Sequence, residues 1–542
     1  MNKYKDKQWI SDLGDGRYRN PILYTDYSDP DAIRVGDDYF MTASSFCNAP
    51  GLPVLHSKDL VNWSVINYAI KQLPEEIYKR PVHGCGVWAP AIRYHEGVYY
   101  IFFPMPDEGI YVTSTTDPWG EWSEPHCLIR VKGWIDPCPF WDEDGRCYMV
   151  SAYAKSRIGF KSILRLTEIT PDCTEIIDMG KDIFDGNTDN QVTIEGPKLY
   201  KRNGYYYIFA PAGGVKQGWQ TVLRSRDIWG PYEYKNVLMQ KDTPINGPHQ
   251  GAWVDTQTGE DWFIHFQDIY AAGRVIHLQP MKWLNNDWPI MGEFEEGDES
   301  GKPVLVHRKP NVGAEYNVVC PESSDEFEGS ELGLQWQWNA NWKPEWYTLM
   351  PETSSIRLYA AEKDGQTSIS NTGNLLMQKW SMPEFNVVAK MCVTGLLKGD
   401  ITGLVSLGEE YAAISVECGE KGKKLCLLTG TQSYDGQVCH ATDKKALVAD
   451  VEGKEIYFKM TVNRVPSTEE NSDGPYTFPI PREQVDFYYS LNGEHYKLIY
   501  SYVPKAGRWV GVKFGVYCCQ VGEGNGGYVD VDYVRVIAKN NK

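Results

Sequence analysis

The sequence predicts an all-β protein, a five-bladed β-propeller followed by an antiparallel β-sandwich. Three observations carry this. At 542 residues the chain exceeds one ordinary hydrophobic core. Five segments of the first half follow one plan. The second half breaks into short runs that alternate apolar and polar residues, with almost no helical periodicity anywhere.

The repeated segments are SDPDAIRVGDDYFMTASS, VWAPAIRYHEGVYYIFFP, IDPCPFWDEDGRCYMVSAY, IEGPKLYKRNGYYYIFAPA and GPHQGAWVDTQTGEDWFIHFQD. They recur at roughly 50–60 residues, the spacing of propeller blades with loop insertions. Each opens on a polar or aromatic motif with Pro or Gly, then crosses a turn into an aromatic strand. Tyr, Phe, Val and Ile in VYYIFFP or YYYIFAPA suit a pleated, half-buried surface. The turns GDD, EGV, EDGR, RNGY and TGED supply residues that tolerate positive φ in hairpins. HSKDLVNWSVI, STTDPWGEWSEP, RSRDIWGPYEY and LQPMKWLNNDWPI read as outer strands. One such sheet cannot bury both its faces, whereas five around an axis can.

The predicted propeller spans 1–300. A charged, Gly/Pro-rich stretch follows, from which 301–315 is read as a linker. From 316 to 542, SIRLYAA, EFNVVAKMCV, EIYFKMTV and WVGVKFGVYCC read as sandwich strands.

Composition narrows the function classes. The net charge of −18 disfavours a nucleic-acid partner, which would need clustered Lys and Arg. No apolar run long enough to span a membrane is present. The N-terminal MNKYKDKQWISDLGDG has no apolar leader, and the 13 cysteines are scattered without a CxxC pattern, so free thiols in the cytoplasm are expected.

In a propeller the innermost strands run along the axis, so residues at their starts converge at one end. Those residues are Asp29, Trp88, Asp136, Glu195 and His249. Asp-Pro taken singly is usually turn punctuation, but three acids in one repeat phase point to chemistry. Carboxyls that meet in an aromatic pocket repel, and one retains a proton near neutral pH. Glycoside hydrolysis requires this pairing of an acid with a carboxylate. Glu195, in the apolar frame Ile194-Glu195-Gly196-Pro197, is assigned as general acid, Asp29 as general base and Asp136 as the group that tunes the acid. His249 is open to three readings: buried axial residue, sugar contact or metal ligand.

The segments NPILYTDYSDPDAIRVGDDYFMTASSF, GVWAPAIRY, GWIDPCPFWDEDGRCYMV, TIEGPKLYKRNGYYYIFAPAGG and GRVIHLQPMKW resemble glycoside hydrolase family 43 in order and spacing. The second half, from SSDEFEGSELGLQWQWNANW to GGYVDVDYVRV, resembles the sandwich of that family's xylosidase/arabinofuranosidase branch. The resemblance implies an inverting hydrolase with the same three roles on Asp29, Asp136 and Glu195. It places Phe46 and Trp88 on the pocket wall, Arg274 on the sugar, and a calcium or other ion on the axis near His249, with no cofactor required. It also implies a sandwich loop over the pocket, for which Gln520–Gly527 is the candidate, and a homo-oligomer is among the expectations. SDPDA stands where many xylosidases have PDPS, and CNAPGLP follows SSF, so pocket details are expected to differ.

The expected activity is exo-acting removal of terminal β-D-xylosyl or α-L-arabinofuranosyl units from pentose oligosaccharides. The rivals are an endo-acting arabinanase or xylanase, a non-catalytic carbohydrate-binding propeller, and a protein-interaction propeller.

Overall fold

A computed structural model describes residues 8–362, 368–466, 482–520 and 526–539, with the backbone of 470–471 and 478–479. Five four-stranded antiparallel sheets occupy residues 31–70, 91–129, 134–185, 198–239 and 249–291, each with its strands in sequence order. They are the blades of a propeller. The first inner strand, Asp31–Val35, packs against that of the fifth blade, His249–Asp255, and closes the ring. The hairpin joining the first two strands turns at Gly36, Gly97, Gly145, Gly204 and Gly259 in the five blades, each with positive φ. The repeat seen in sequence is thus one backbone turn made five times.

Each blade buries its branched and aromatic residues against the next. Tyr39, Trp63 and Trp262 fill the seam between blades five and one, where all are 0–1% exposed. A further strand, Arg17–Arg19, pairs antiparallel with Val306–Arg308. Glu293 and Lys302 also form a bridge. The charged stretch after the last blade therefore lies along the propeller, with ladder hydrogen bonds of its own.

The second half forms two facing sheets, antiparallel but for one short parallel pair, Ala361–Glu362 with Cys519–Gln520. One runs from Gln337–Trp338 to Lys444–Asp450 and the other from Tyr347–Met350 to Lys497–Tyr502. Strand Phe385–Cys392 alternates buried and half-buried residues along its length, the signature of a sheet with one face in the core. Val387, Ala389 and Met391 meet Leu404, Phe514 and Val516 of the opposite sheet.

That core continues into the propeller. Tyr24, Ile269, Ala271, Ala272 and Val275 belong to the same apolar cluster as Trp336, Trp338 and Phe514. Backbone bonds stitch the seam: Trp338 N to Ala49 O at 2.6 Å, and Val512 N to Ala271 O at 2.7 Å. Asp26 spans it, accepting from Arg274 N of the propeller at 2.9 Å and from Gly511 N of the sandwich at 2.8 Å.

No disulfide joins the cysteines among the described residues, and Cys518 and Cys519 are buried. Among the described residues no helix is long and apolar enough to cross a membrane.

Candidate active site

The three acids sit where inner strands begin. Asp29 ends the loop before Asp31–Val35, and Glu195 stands three residues before Lys198–Arg202. Asp136 lies within Trp134–Trp141, at a bulge between the paired residues Ile135 and Cys138. Pro137 has no N–H for the ladder, so the strand gives up its register there and turns Asp136 toward the axis. Asp29 and Asp136 both take left-handed backbone, φ 56° and 57°. Aspartate tolerates that region better than most residues, at a cost of about 1 kcal/mol each.

All three acids line one cavity of about 440 Å³, together with Phe46, Trp88 and Arg274. Phe46 (φ 52°) pairs with Val87 across a two-bond bridge. This close approach depends on Gly86, where a Cβ would stand 2.3 Å from the Phe46 carbonyl oxygen. The Phe46 and Trp88 rings are 6.4 Å apart and tilted, forming one aromatic wall.

Asp29 is held by donors alone. Arg274 gives it Nη1 at 2.9 and 3.2 Å, Ser44 its hydroxyl at 2.7 Å and Ser28 its hydroxyl at 3.0 Å. A carboxylate acceptor is what such a set demands. Asp136 accepts one backbone bond, from Gly196 N at 2.7 Å. Gly196 (φ 60°) has no room for a side chain, since a Cβ would meet Gln250 Cδ at 2.7 Å.

Electrostatics separate the acids. Burial, then the Asp136 and Asp29 carboxyls, push Glu195 up to about 8, against weaker pulls from Arg274 and Lys161. Burial pushes Asp136 up to about 7, opposed by Lys198 and the Gly196 N–H. The two titrate as a pair that keeps a proton near neutral pH. A quarter of the Glu195 side chain stays exposed, against 9% for Asp29, so the proton-bearing group is the one open to the cavity.

His249 stands behind this wall. It is 1% exposed, with Nε2 3.5 Å from Glu195 Oε1, and burial drives it down to about 3, so it is neutral. The cavity wall there is instead Gln250, turned inward by φ 39°. His249, expected at the sugar, is not among the residues that line the cavity, whereas its neighbour is. Nor does His249 fit a calcium cage: among the described residues no three His, Cys, Asp or Glu side chains converge on a metal position. One imidazole poorly matches a hard cation that takes six to eight oxygens.

The sandwich does reach the cavity. Of Gln520–Gly527, residues 521–525 lie outside the described ones. Trp509 lines the pocket, 6.3 Å from the Trp88 ring. It has φ 69° and sits two residues before Gly511, which is tied to Asp26. Arg508 braces the same loop by donating to the Gly436 carbonyl at 2.5 Å. Thr193, Lys161 and Tyr153 are further wall residues unread in the sequence.

A ring of five blades whose axis opens into one aromatic cavity, with carboxyls of unequal proton affinity inside, defines a glycoside hydrolase. The chain belongs to glycosyl hydrolases family 43: that family's model matches residues 18–289, and the beta xylosidase C-terminal concanavalin A-like domain matches 324–537. It is 37% identical over 516 residues to a putative beta-xylosidase of Xylanibacter ruminicola, covering 94% of this chain and 87% of that one. It is 26% identical over 557 residues to a non-reducing end alpha-L-arabinofuranosidase of Bacteroides ovatus, covering 97% and 96%. A solved family 43 protein from Bacillus licheniformis superposes with a TM-score of 0.78 at 25% identity, covering 96% of this chain and all of that one.

Proposed function

We infer that the protein is an exo-acting, inverting glycosidase that releases terminal β-D-xylosyl or α-L-arabinofuranosyl residues from pentose oligosaccharides. The observation that carries this is the meeting of Asp29, Asp136 and Glu195 in one cavity walled by Phe46, Trp88 and Trp509. A cavity roofed by a second domain suits a chain end better than a chain middle. The full-length likeness to a relative named for xylose and to one named for arabinose supports both sugars as candidates.

In the proposed reaction the terminal sugar lies against the aromatic wall. Asp29 takes a proton from a water, whose oxygen bonds to the anomeric carbon. The bond from that carbon to the bridging oxygen breaks on the opposite face. Glu195 gives its proton to the departing oxygen, so the products are a free pentose of inverted configuration and a shortened chain. Asp136 keeps the Glu195 proton in place by repulsion. Arg274 holds Asp29 in register, and no cofactor enters the reaction.

Assaying aryl β-D-xylopyranoside beside aryl α-L-arabinofuranoside, then xylo- and arabino-oligosaccharides, tests this reading. The expected result is pentose as the only small product. Internal fragments from the start of the reaction would favour an endo-acting enzyme, and binding without release would leave only a lectin-like propeller.

Two further results follow from the geometry. Glu195 acts only while protonated, and a carboxyl raised to about 8 keeps its proton below that pH and loses it above. The alkaline limb of kcat/KM is therefore expected near pH 8; a profile that stays level well beyond it would remove Glu195 as the acid. Trp509→Ala is expected to raise KM about three- to tenfold with kcat little changed, because one wall contact worth ~1 kcal/mol is lost equally in ground and transition states. A fall in kcat at constant KM would contradict that assignment.

A further inference from the structure

Beneath the cavity a second polar layer crosses the axis. Asp31, Arg93, Cys138 and Lys198 come from the inner strands of blades one to four. Arg93 Nη1 pairs with the wholly buried Asp31 carboxylate at 2.6 Å, and Arg93 Nη2 donates to Cys138 Sγ at 2.9 Å. Lys198 is different. It is 0% exposed, and its Nζ has no hydrogen-bond partner among the described residues. An ammonium taken out of water without a partner is costly, and it is tolerated where the field of nearby anions offsets the loss.

The anion is close by. Lys198 stands two residues after Gly196, whose N–H meets Asp136 at 2.7 Å, on a strand that packs against the one carrying Asp136, and its charge acts on that carboxyl. That charge also reaches Cys138, two residues beyond Asp136 on the same strand. The other carboxylates of the axis have hydrogen-bonded cations of their own, Asp29 with Arg274 and Asp31 with Arg93. Asp136 has one backbone N–H, and Glu195 faces the neutral His249. Lys161 acts on Glu195 from the rim, where its Nζ donates to Thr193 at 2.6 Å. Lys198 is therefore the cation that serves the acid pair from below.

We propose that Lys198 is a positioning residue of the acid pair: its buried ammonium holds Asp136 ionised and so confines the pair's single proton to Glu195. This rests on the carboxylate roles given under Proposed function. Lys198 is wholly buried and does not line the cavity, so it acts only through Asp136. Without the ammonium both carboxyls hold protons to higher pH. Asp136 becomes neutral where it should be charged, and the pair's last proton is shared between Asp136 and Glu195 and leaves at higher pH.

The test compares Lys198→Met, which keeps the length and removes the charge, with Lys198→Arg, which restores a charge. The pH profile of kcat/KM on a xylo-oligosaccharide, whose cleavage needs the Glu195 proton, is expected to move toward alkaline pH in Lys198→Met by about one unit, the shift typical of one nearby opposite charge. In Lys198→Arg it should return toward the wild-type position. A Lys198→Met profile that superimposes on wild type, with kcat lower by the same factor at every pH, would make Lys198 structural and overturn the proposal. A readout free of turnover accompanies this: infrared difference spectra of the protonated carboxyl C=O band as pH is raised through neutrality. The band should persist to higher pH in Lys198→Met than in wild type, and identical titration in both would also overturn the proposal. Failure of the wild-type protein to release pentose would sink the functional reading, while the infrared comparison would still decide the role of Lys198. Melting curves of both variants identify one that has failed to fold, and the infrared titration of the other then stands.

Discussion

Glu195→Ala is expected to lower kcat on xylo-oligosaccharides about a thousandfold, within the range a positioned general acid supplies. On aryl glycosides whose phenolate leaves without help, the loss should be about tenfold or less, because little protonation is needed in the transition state. The contrast between the two substrates, measured by steady-state kinetics, is the diagnostic. A loss of equal size on both would assign Glu195 to binding or structure. The alkaline limb should vanish with the side chain, since the group that titrates near 8 is gone.

Asp29→Ala should abolish turnover on both substrate types, by about four orders of magnitude, because attack by water limits every leaving group alike. The structure adds a complication. Asp29 carries the hydrogen-bonded charge on Arg274, which is itself 8% exposed, so alanine would leave a guanidinium without its nearest anion. Truncating one member of a buried pair typically costs about 3–5 kcal/mol. Part of that should be recovered by Asp268 and Asp26, which also act on Arg274. Asp29→Asn, which still accepts from Arg274 and the Ser44 hydroxyl, is the cleaner substitution. It should keep the melting temperature within a few degrees while losing activity to the same extent. Substantial residual activity in Asp29→Asn would take Asp29 out of the mechanism.

Much of this site was legible because the propeller repeats itself. Asp29, Asp136 and Glu195 stand in equivalent places of separate blades, and equivalence in a closed ring places them at one end of one axis. Trp88 came from the repeat phase and Phe46 from the resemblance, and the bridge of Phe46 to Val87, which needs Gly86, gives their closeness a steric reason. What the repeat could not reach was the sense in which a strand turns its first residues. His249 and Gln250 are adjacent, and the left-handed backbone of Gln250 decides which of them faces the cavity. Sandwich residues have no repeat to register them, so Trp509 lay hidden in KAGRWVG. An aromatic residue beside a Gly-flanked turn was the available signal. Lys198 was visible in IEGPK, but its burial is a fact of packing alone.

The double acceptance at Asp26 has a further consequence. One oxygen fixes the strand that presents Arg274 and the other fixes the turn after Trp509. The machinery that cleaves and the surface that discriminates are clasped through a single side chain. Displacing either the Arg274 strand or the turn after Trp509 therefore disturbs its companion.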